Sequence, residues 1–422
     1  MTLVDTLAID GGTPVRTKPF APWPHFWEEE KKAVVEVLDS GKVNYWTGLR
    51  GMEFQKQFAA YCGTKHAIAL NSGTSALHVA LAAAEVGPGD EVIVPSYTFI
   101  ATAAAVLHQN AIPVFADVEE KTWNMDPKSV GPLITDRTKV IMPVHLNGHP
   151  ADMDAIRALA KKRGIIIIED AAQAHGAEYK GKKVGALGDL AAFSFCQDKI
   201  FTTGGEGGAV TTDDAEMAST ARSFKDHGYW EEQRKDLLKM EALYPYIHHR
   251  MGFNYRMTEM QAVVGAAALA RLDDWVEKRR EHAHLLSKRI AEIPELEAPY
   301  ESPDVKHAFY KYAIKIRPER LKCTRDEFIK ALRAEGIPCN AGVPPENYKE
   351  EVFLKMVGYG KTSCPFTCPL YKGRVDYNKV DCPTARSTGA RTIWLLVHPT
   401  LGVADMEDTA RALHKVASAC AQ

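Results

Sequence analysis

Short apolar runs alternate with longer helix-like stretches from about residue 66 to residue 212. Ala67–Leu70, Glu91–Pro95, Pro113–Phe115, Val140–Val144 and Ile165–Glu169 are short and mostly apolar, which predicts strands buried on both faces. Thr74–Ala84, Thr98–His108 and Ala151–Arg163 carry helical patterns between them. Such alternation predicts a parallel sheet covered by helices on both sides. Ala191–Phe195 and Gly208–Thr212 predict two more strands, linked by a Gly-rich loop. Further on, Thr258 and Gln261 have the spacing of a capping box, opening a long helical region toward Ile290.

After Pro294 the texture changes. His307–Ile316 predicts a strand, Thr324–Glu335 a helix, Pro338–Val343 a strand or loop, and Met406–Ala419 a closing helix. Residues 345–390 hold many Pro, Cys, Tyr and Lys with little periodicity and are expected to be irregular. A chain of 422 residues exceeds one ordinary domain. The expected fold is α/β: a large domain over residues 1–285, with an N-terminal arm and a mostly parallel sheet, and a smaller α+β domain over residues 286–422.

Composition narrows the function classes. A net charge of -2 leaves no general basic excess to hold nucleic acid or an anionic membrane. No run approaches the ~20 apolar residues that cross a bilayer, and the N-terminus lacks a basic start followed by an apolar core. Eight cysteines without regular spacing suggest free thiols in a reducing cytoplasm. Cys364 and Cys368 lack a second pair at zinc spacing, and His248–His249 reads as surface or substrate pocket, so no metal is expected.

Three clusters carry candidate chemistry. Asn71-Ser72-Gly73-Thr74-Ser75-Ala76-Leu77 follows a strand and opens a helix, where unpaired N–H groups can hold a phosphate; a plain strand-to-helix turn is the alternative. Glu169-Asp170 ends a strand of four isoleucines, where ligands of open α/β sheets bind, although Asp also serves as a helix N-cap. Lys199 follows the strand ending at Phe195 and precedes Gly204-Gly205-Glu206-Gly207-Gly208. Two familiar phosphate loops are absent. Gly360-Lys361-Thr362 lacks the earlier glycine of a P-loop, because position 355 is Lys355, and no G-x-G-x-x-G follows a strand. Phosphate cradle, strand-end acid and strand-end amine together fit pyridoxal 5′-phosphate (PLP). That cofactor needs a lysine for a Schiff base, a carboxylate for its ring nitrogen and a site for its phosphate.

With Thr47-Gly48, Ser72–Leu77, Pro95-Ser96-Tyr97-Thr98-Phe99, Pro143-Val144-His145, Glu169–Gln173, Ser194-Phe195 with Lys199, Gly205–Gly208 and Gly252–Thr258, the chain resembles the DegT/DnrJ/StrS family of PLP-dependent sugar aminotransferases, of the aspartate-aminotransferase fold type. The resemblance runs over roughly residues 20–420. It implies that Lys199 carries the cofactor, that Asp170 binds the pyridine nitrogen and that Gln173 bonds the ring hydroxyl. Phe99 would stack on the ring; without the resemblance, core packing beneath a helix is its other reading. Ser194, Gly73 and Thr74 would hold the phosphate. Asn254 would reach the phosphate of a neighbouring subunit, which implies a homodimer with shared sites. The implied reaction moves an amino group from glutamate or glutamine to a keto-sugar, nucleotide-linked or free, or to a cyclitol ketone. Trp394–Pro399 looks closer to members acting on cyclitols or on an aminohydroxybenzoate precursor. Tyr229, Tyr246, His248, His249 and His398 are candidates for the substrate pocket, since loops beside a rigid scaffold often carry specificity. The alternatives are a PLP-dependent dehydratase or eliminase, in which some relatives replace the lysine by histidine, and a non-catalytic PLP-binding regulator.

Overall fold

The computed structural model describes residues 6–230 and 248–422. Its central sheet uses β1 (His66–Leu70), β2 (Glu91–Pro95), β3 (Ile112–Ala116), β4 (Thr138–Ile141), β5 (Ile166–Asp170), β6 (Leu190–Ser194) and β7 (Gly208–Thr212). Their spatial order is β1-β7-β6-β5-β4-β2-β3. β7 runs antiparallel to β1 and β6, and the other pairings are parallel. The sheet is thus the mixed, mostly parallel type in which ligands gather at the carboxyl ends of the strands.

Helices cover both faces. On one side lie α3 (Gly73–Ala83), α4 (Ala101–His108) and α6 (Ala215–Lys225), whose Leu77, Leu81, Val106 and Phe224 pack on Ile168, Leu190 and Val210 of the sheet. On the other lie α2 (Arg50–Cys62), α5 (Met153–Lys161), α7 (Glu259–Leu269) and α8 (Leu272–Ile290), which bring Phe54, Phe58, Ile156 and Trp275 onto Ile167 and Phe193. Alternate residues of β5 therefore enter different cores, which explains its continuous apolar run. Another N-terminal helix, α1 (Glu28–Ser40), precedes α2.

A third core gathers Leu286, Phe309, Ile314, Phe328, Leu395 and Leu413. It lies around a second sheet of β8 (Leu296–Glu297), β9 (Tyr312–Ile316), β10 (Cys339–Asn340) and β11 (Thr392–Leu395), in the order β8-β9-β11-β10. The helices α9 (Arg325–Ala334) and α11 (Val403–Cys420) pack there, and α10 (Pro383–Arg391) leads into β11. All eight cysteines are unpaired, and among the described residues no helix is long and apolar enough to cross a membrane.

Several expected elements differ in detail. The Thr258–Gln261 capping box forms, with Gln261 N–H on Thr258 Oγ1 at 3.3 Å and Thr258 N–H on Gln261 Oε1 at 2.9 Å. The helix nevertheless breaks at Ala270-Arg271 into α7 and α8. The strand expected over His307–Ile316 begins only at Tyr312. Phe309 takes φ of 47°, and Ala308 and Tyr310 donate their N–H groups to the carbonyls of Gly148 and Asn147. The chain between them therefore lies on the loop after β4. The segment expected to be irregular holds helical turns of three or four residues, such as Asn347–Lys349 and Glu351–Leu354, then α10. It is ordered by packing: Tyr348, Phe353, Phe366 and Tyr377 enter the core under α3 and α4.

Candidate active site

The carboxyl ends of β5 and β6 are adjacent, with Asp170 opposite Ala192 in register. Asp170 is buried, and its carboxylate accepts the Thr102 hydroxyl at 2.8 Å and the Ala172 N–H at 3.2 Å. Burial pushes the Asp170 carboxyl upward, against the pull of those two donors and of the Lys199 charge. A carboxylate held this way gains most from a cation placed against it.

The neighbouring Glu169 faces the opposite core and is fully consumed there. It accepts the N–H groups of Leu187 at 2.7 Å, Gly188 at 2.8 Å and Gly185 at 3.0 Å, and meets His145 Nε2 at 2.9 Å. Because His145 Nδ1 accepts the Ala151 N–H at 3.0 Å, the imidazole proton sits on Nε2 and is donated to Glu169. The acidic pair thus divides: Glu169 is a structural latch and Asp170 the available acid.

Gly73 opens α3 against the end of β6. A Cβ at this position would lie 2.5 Å from Ser194 Cβ and 2.8 Å from its Oγ, so glycine alone permits the approach. Ser72 caps the helix, its Oγ accepting the Ser75 N–H at 3.1 Å. The Ser194 hydroxyl, itself accepting the Cys196 N–H at 3.3 Å, is thereby held beside the first turn of a helix, a place suited to an anion.

Gln173 is buried and accepts the Asn147 N–H on Oε1 at 2.8 Å. Phe99, in the turn between β2 and α4, is 55% exposed and does not lie in the core beneath the helix. It connects to Asp170 through Thr102, whose hydroxyl lies 3.2 Å from the Phe99 carbonyl.

Lys199 lies in the loop after β6, and its backbone carbonyl accepts the indole N–H of Trp23 at 2.9 Å, so the N-terminal arm fastens this loop. Its Nζ donates to Tyr310 Oη at 3.4 Å and stands 4.0 Å from Asp198 Oδ1. Tyr310 donates its own proton to Asp198. Beside Asp198 opens a cleft of about 570 Å³ lined by Arg16, Lys18, Trp23, Lys311, Arg333 and His398.

The substrate-pocket candidates separate. His398 reaches this cleft, buried and stacked 6.0 Å from Trp23; burial, with the charges of Arg279 and Lys311, pushes its imidazole down to about 3, so it is neutral. Tyr229 is buried, its ring 5.5 Å from Trp46 and 5.0 Å from His248. His248 and His249 are exposed; His248 Nδ1 bonds the His227 carbonyl at 2.7 Å and His249 N–H the Gly228 carbonyl at 2.8 Å. Tyr246 lies outside the described residues. Asn254 is exposed on the same surface, bridged to Asp226.

Sequence reasoning missed Thr102, Trp23, Asp198, Tyr310 and Lys311. Asp198 stands next to Lys199 and could have been noticed there. Tyr310 is 111 residues beyond Lys199 and reaches it through the Phe309 kink, which no local pattern announces.

The profile of the DegT/DnrJ/EryC1/StrS aminotransferase family matches residues 24–414. A GDP-perosamine synthase of Caulobacter vibrioides is 43% identical over 315 residues, 74% of this chain and 81% of that one. An L-glutamine:2-deoxy-scyllo-inosose aminotransferase of Streptomyces paromomycinus is 34% identical over 424 residues, 97% of each chain. The X-ray structure of an aminotransferase from Psychrobacter cryohalolentis superposes with a TM-score of 0.85 at 40% identity, covering 95% of this chain and 100% of that one. With the profile spanning nearly its whole length, the chain belongs to the DegT/DnrJ/EryC1/StrS aminotransferase family.

Proposed function

We propose that this aminotransferase uses PLP to move an amino group from glutamate or glutamine to the ketone of a sugar or cyclitol. The observation that carries the reading is the site's own composition: a buried, cation-seeking Asp170, a glycine-opened helix start against Ser194, and Lys199 on the next loop of the same sheet edge. These residues fit the cofactor group by group. Asp170 would pair with the protonated ring nitrogen, which keeps the ring able to accept electrons. Ser194 and the Gly73 and Thr74 N–H groups would hold the phosphate. Gln173, its Oε1 already engaged by Asn147, has its amide N–H groups to offer the ring hydroxyl. Phe99, more than half exposed, would be free to stack on the ring.

When bound, the cofactor supplies an electron sink for the bonds at the donor Cα. The protein supplies the rest. Lys199 Nζ would be the amine that holds the cofactor and, when free, the base that would move a proton from the donor Cα. The same amine would serve the ketone acceptor in the reverse sense. His398, neutral and lining the cleft beside Asp198, is placed to bond a substrate hydroxyl. The presence of lysine at 199 favours transamination over elimination.

A homodimer fits the surface. Leu49 and Met251 are 72% and 73% exposed, and Phe253 also reaches solvent next to Asn254. A second copy would cover these exposed apolar side chains and bring Asn254 to the partner's phosphate site. The unpaired cysteines fit a reducing, cytoplasmic setting.

The relatives divide on the ketone: one is named for a GDP-linked sugar and another for a cyclitol. The test is nitrogen tracking. Protein loaded with PLP is given ¹⁵N-labelled glutamate or glutamine and a panel of nucleotide-linked keto-sugars and keto-cyclitols, with the products read by mass spectrometry. Label appearing in one acceptor supports the reading, whereas loss of water without nitrogen transfer, or no turnover of any pair, refutes it.

A further inference from the structure

Asp198 precedes Lys199 in sequence, and none of the roles above uses it. Its carboxylate receives the Tyr310 hydroxyl and lies 4.0 Å from Lys199 Nζ and 3.7 Å from Lys311 Nζ. Lys199 Nζ in turn donates to Tyr310 Oη at 3.4 Å. One chain of donors therefore runs from the lysine amine through the phenol to the carboxylate. A phenol whose proton is drawn toward a carboxylate is a stronger acceptor for the next donor. The Lys199 ammonium also lies over the Tyr310 ring, 4.7 Å from its centroid, where the ring face attracts positive charge.

We propose that Asp198 and Tyr310 are positioning residues that dock the Lys199 amine whenever it is free of the cofactor and stabilise it while it carries the donor's proton. The inference rests on the function proposed above. In each half-reaction Nζ takes one proton from a carbon and gives one back. Between those events it is an ammonium that must neither wander nor lose its proton elsewhere. The Tyr310 proton stays on Oη and Asp198 stays ionised, so neither residue is consumed.

The surrounding charges show why a carboxylate is needed there. Arg279 is fully buried, donates through Nη1 to the Phe309 and Tyr310 carbonyls, and is pushed down to about 9 by burial. Lys311, in the same neighbourhood, is pushed down to about 8, mainly by burial. Both repel a third cation. His175 and His398, also nearby, are neutral, each pushed to about 3 by burial. The Cys196 thiol is pushed up by burial and by Glu206 and Asp198, and so stays protonated. Asp170 also interacts with Lys199, but the function proposed above assigns it to the cofactor's ring nitrogen. Asp198 thus compensates Lys199 and Lys311 together. Partial burial alone would raise its own carboxyl, yet Lys199, the Tyr310 hydroxyl and Lys311 hold it below the ordinary carboxylate range.

The test uses full-length Asp198→Asn, Asp198→Glu and Tyr310→Phe. In the cofactor-free protein at a fixed neutral pH, competitive acetylation read by mass spectrometry should label Lys199 at least about threefold more, relative to the other lysines, in Asp198→Asn, because an ammonium with its counter-charge removed more readily becomes the reactive amine. Tyr310→Phe should give a smaller rise, and Asp198→Glu should return toward wild type. Wild-type labelling of Lys199 in Asp198→Asn overturns the proposal. If that variant does not fold, unchanged labelling in Tyr310→Phe overturns it instead. Wild-type protein that takes up no PLP would refute the proposed function, while the cofactor-free labelling still decides whether Asp198 and Tyr310 hold the amine.

Discussion

Gly73→Ala would place a methyl carbon 2.5 Å from Ser194 Cβ and 2.8 Å from Ser194 Oγ. The first of these is roughly 1 Å inside the ordinary contact distance of about 3.5–4.0 Å between carbons. Neither neighbour is the far end of a flexible side chain: Ser194 Cβ is fixed by β6, which pairs on both edges. Relief must come from moving the start of α3 away from the strand. Overpacking of this kind costs about 1–3 kcal/mol, and the helix preference of alanine over glycine returns about 0.5–1 kcal/mol. The net loss in stability is therefore small to moderate. The loss in cofactor affinity should be larger. If the phosphate sits there as proposed, withdrawing the first turn would remove one or two charge-assisted hydrogen bonds to it, worth about 1.5–3 kcal/mol each, a weakening of about tenfold to a hundredfold for one bond. Fluorescence titration of the cofactor-free protein with PLP measures the affinity, and thermal unfolding measures the stability separately. Ser194→Gly in the same chain removes both colliding atoms, so the double variant should melt like Ser194→Gly alone while PLP binding stays weak, since the hydroxyl is gone. A Gly73→Ala protein that binds PLP within about threefold of wild type would show that the helix start is not the phosphate site.

Lys199→Ala should abolish both turnover and the covalent cofactor adduct fixed by borohydride reduction; retained turnover would remove Lys199 from its role. Asp170→Asn should keep PLP bound yet lose about 10²–10³-fold in kcat, the equivalent of about 3–4 kcal/mol for a neutralised buried partner, and activity within about tenfold of wild type would refute the pairing. Glu169→Gln turns an acceptor of three backbone N–H groups and His145 into a partial donor, so urea unfolding should show a loss of about 3–5 kcal/mol, and no loss would undo the latch. His175 is buried among Phe193, Phe195 and Phe201, and burial pushes its imidazole down to about 3. The unfolded chain takes up that proton near about pH 6.5 while the folded chain does not, so stability falls on acidification between those values, by up to about 1.4 kcal/mol per pH unit. His175→Phe should flatten the acid limb by that slope, and an unchanged limb counts against the buried neutral histidine.

The central sheet was readable because its strands are buried on both faces and need no alternation: Glu91–Pro95 and Gly208–Thr212 fall on their predicted bounds. Asp170, Ser194 and Gly73 were readable for a related reason, since sheet topology delivers strand ends to one edge. The helices α1 and α2 escaped because Val35 and Leu38 of α1 remain exposed, blurring its apolar stripe. Residues 345–390 carry helical turns too short to show a period and take their order from the core they enter. Tyr310 required a backbone kink at Phe309 and a loop contact to Asn147, both tertiary facts. The division of Glu169 from Asp170 could be guessed from strand alternation, but their partners lie as far as 68 residues away along the chain.

Ile165–Ile168 offers identical side chains at four successive positions, so hydrophobic packing alone would tolerate β5 sliding by one residue along its neighbours. The slip would exchange the two acids between faces. Glu169 prevents it by length: only a side chain with the extra methylene, pointing to the α2 and α5 side, finds Gly185, Leu187 and Gly188 together. An aspartate delivered there would fall short of those amides, and a glutamate on the other face would crowd Thr102. The strand is thus indexed by its polar end, and the alignment of Asp170 is inherited from a neighbour that faces the opposite core.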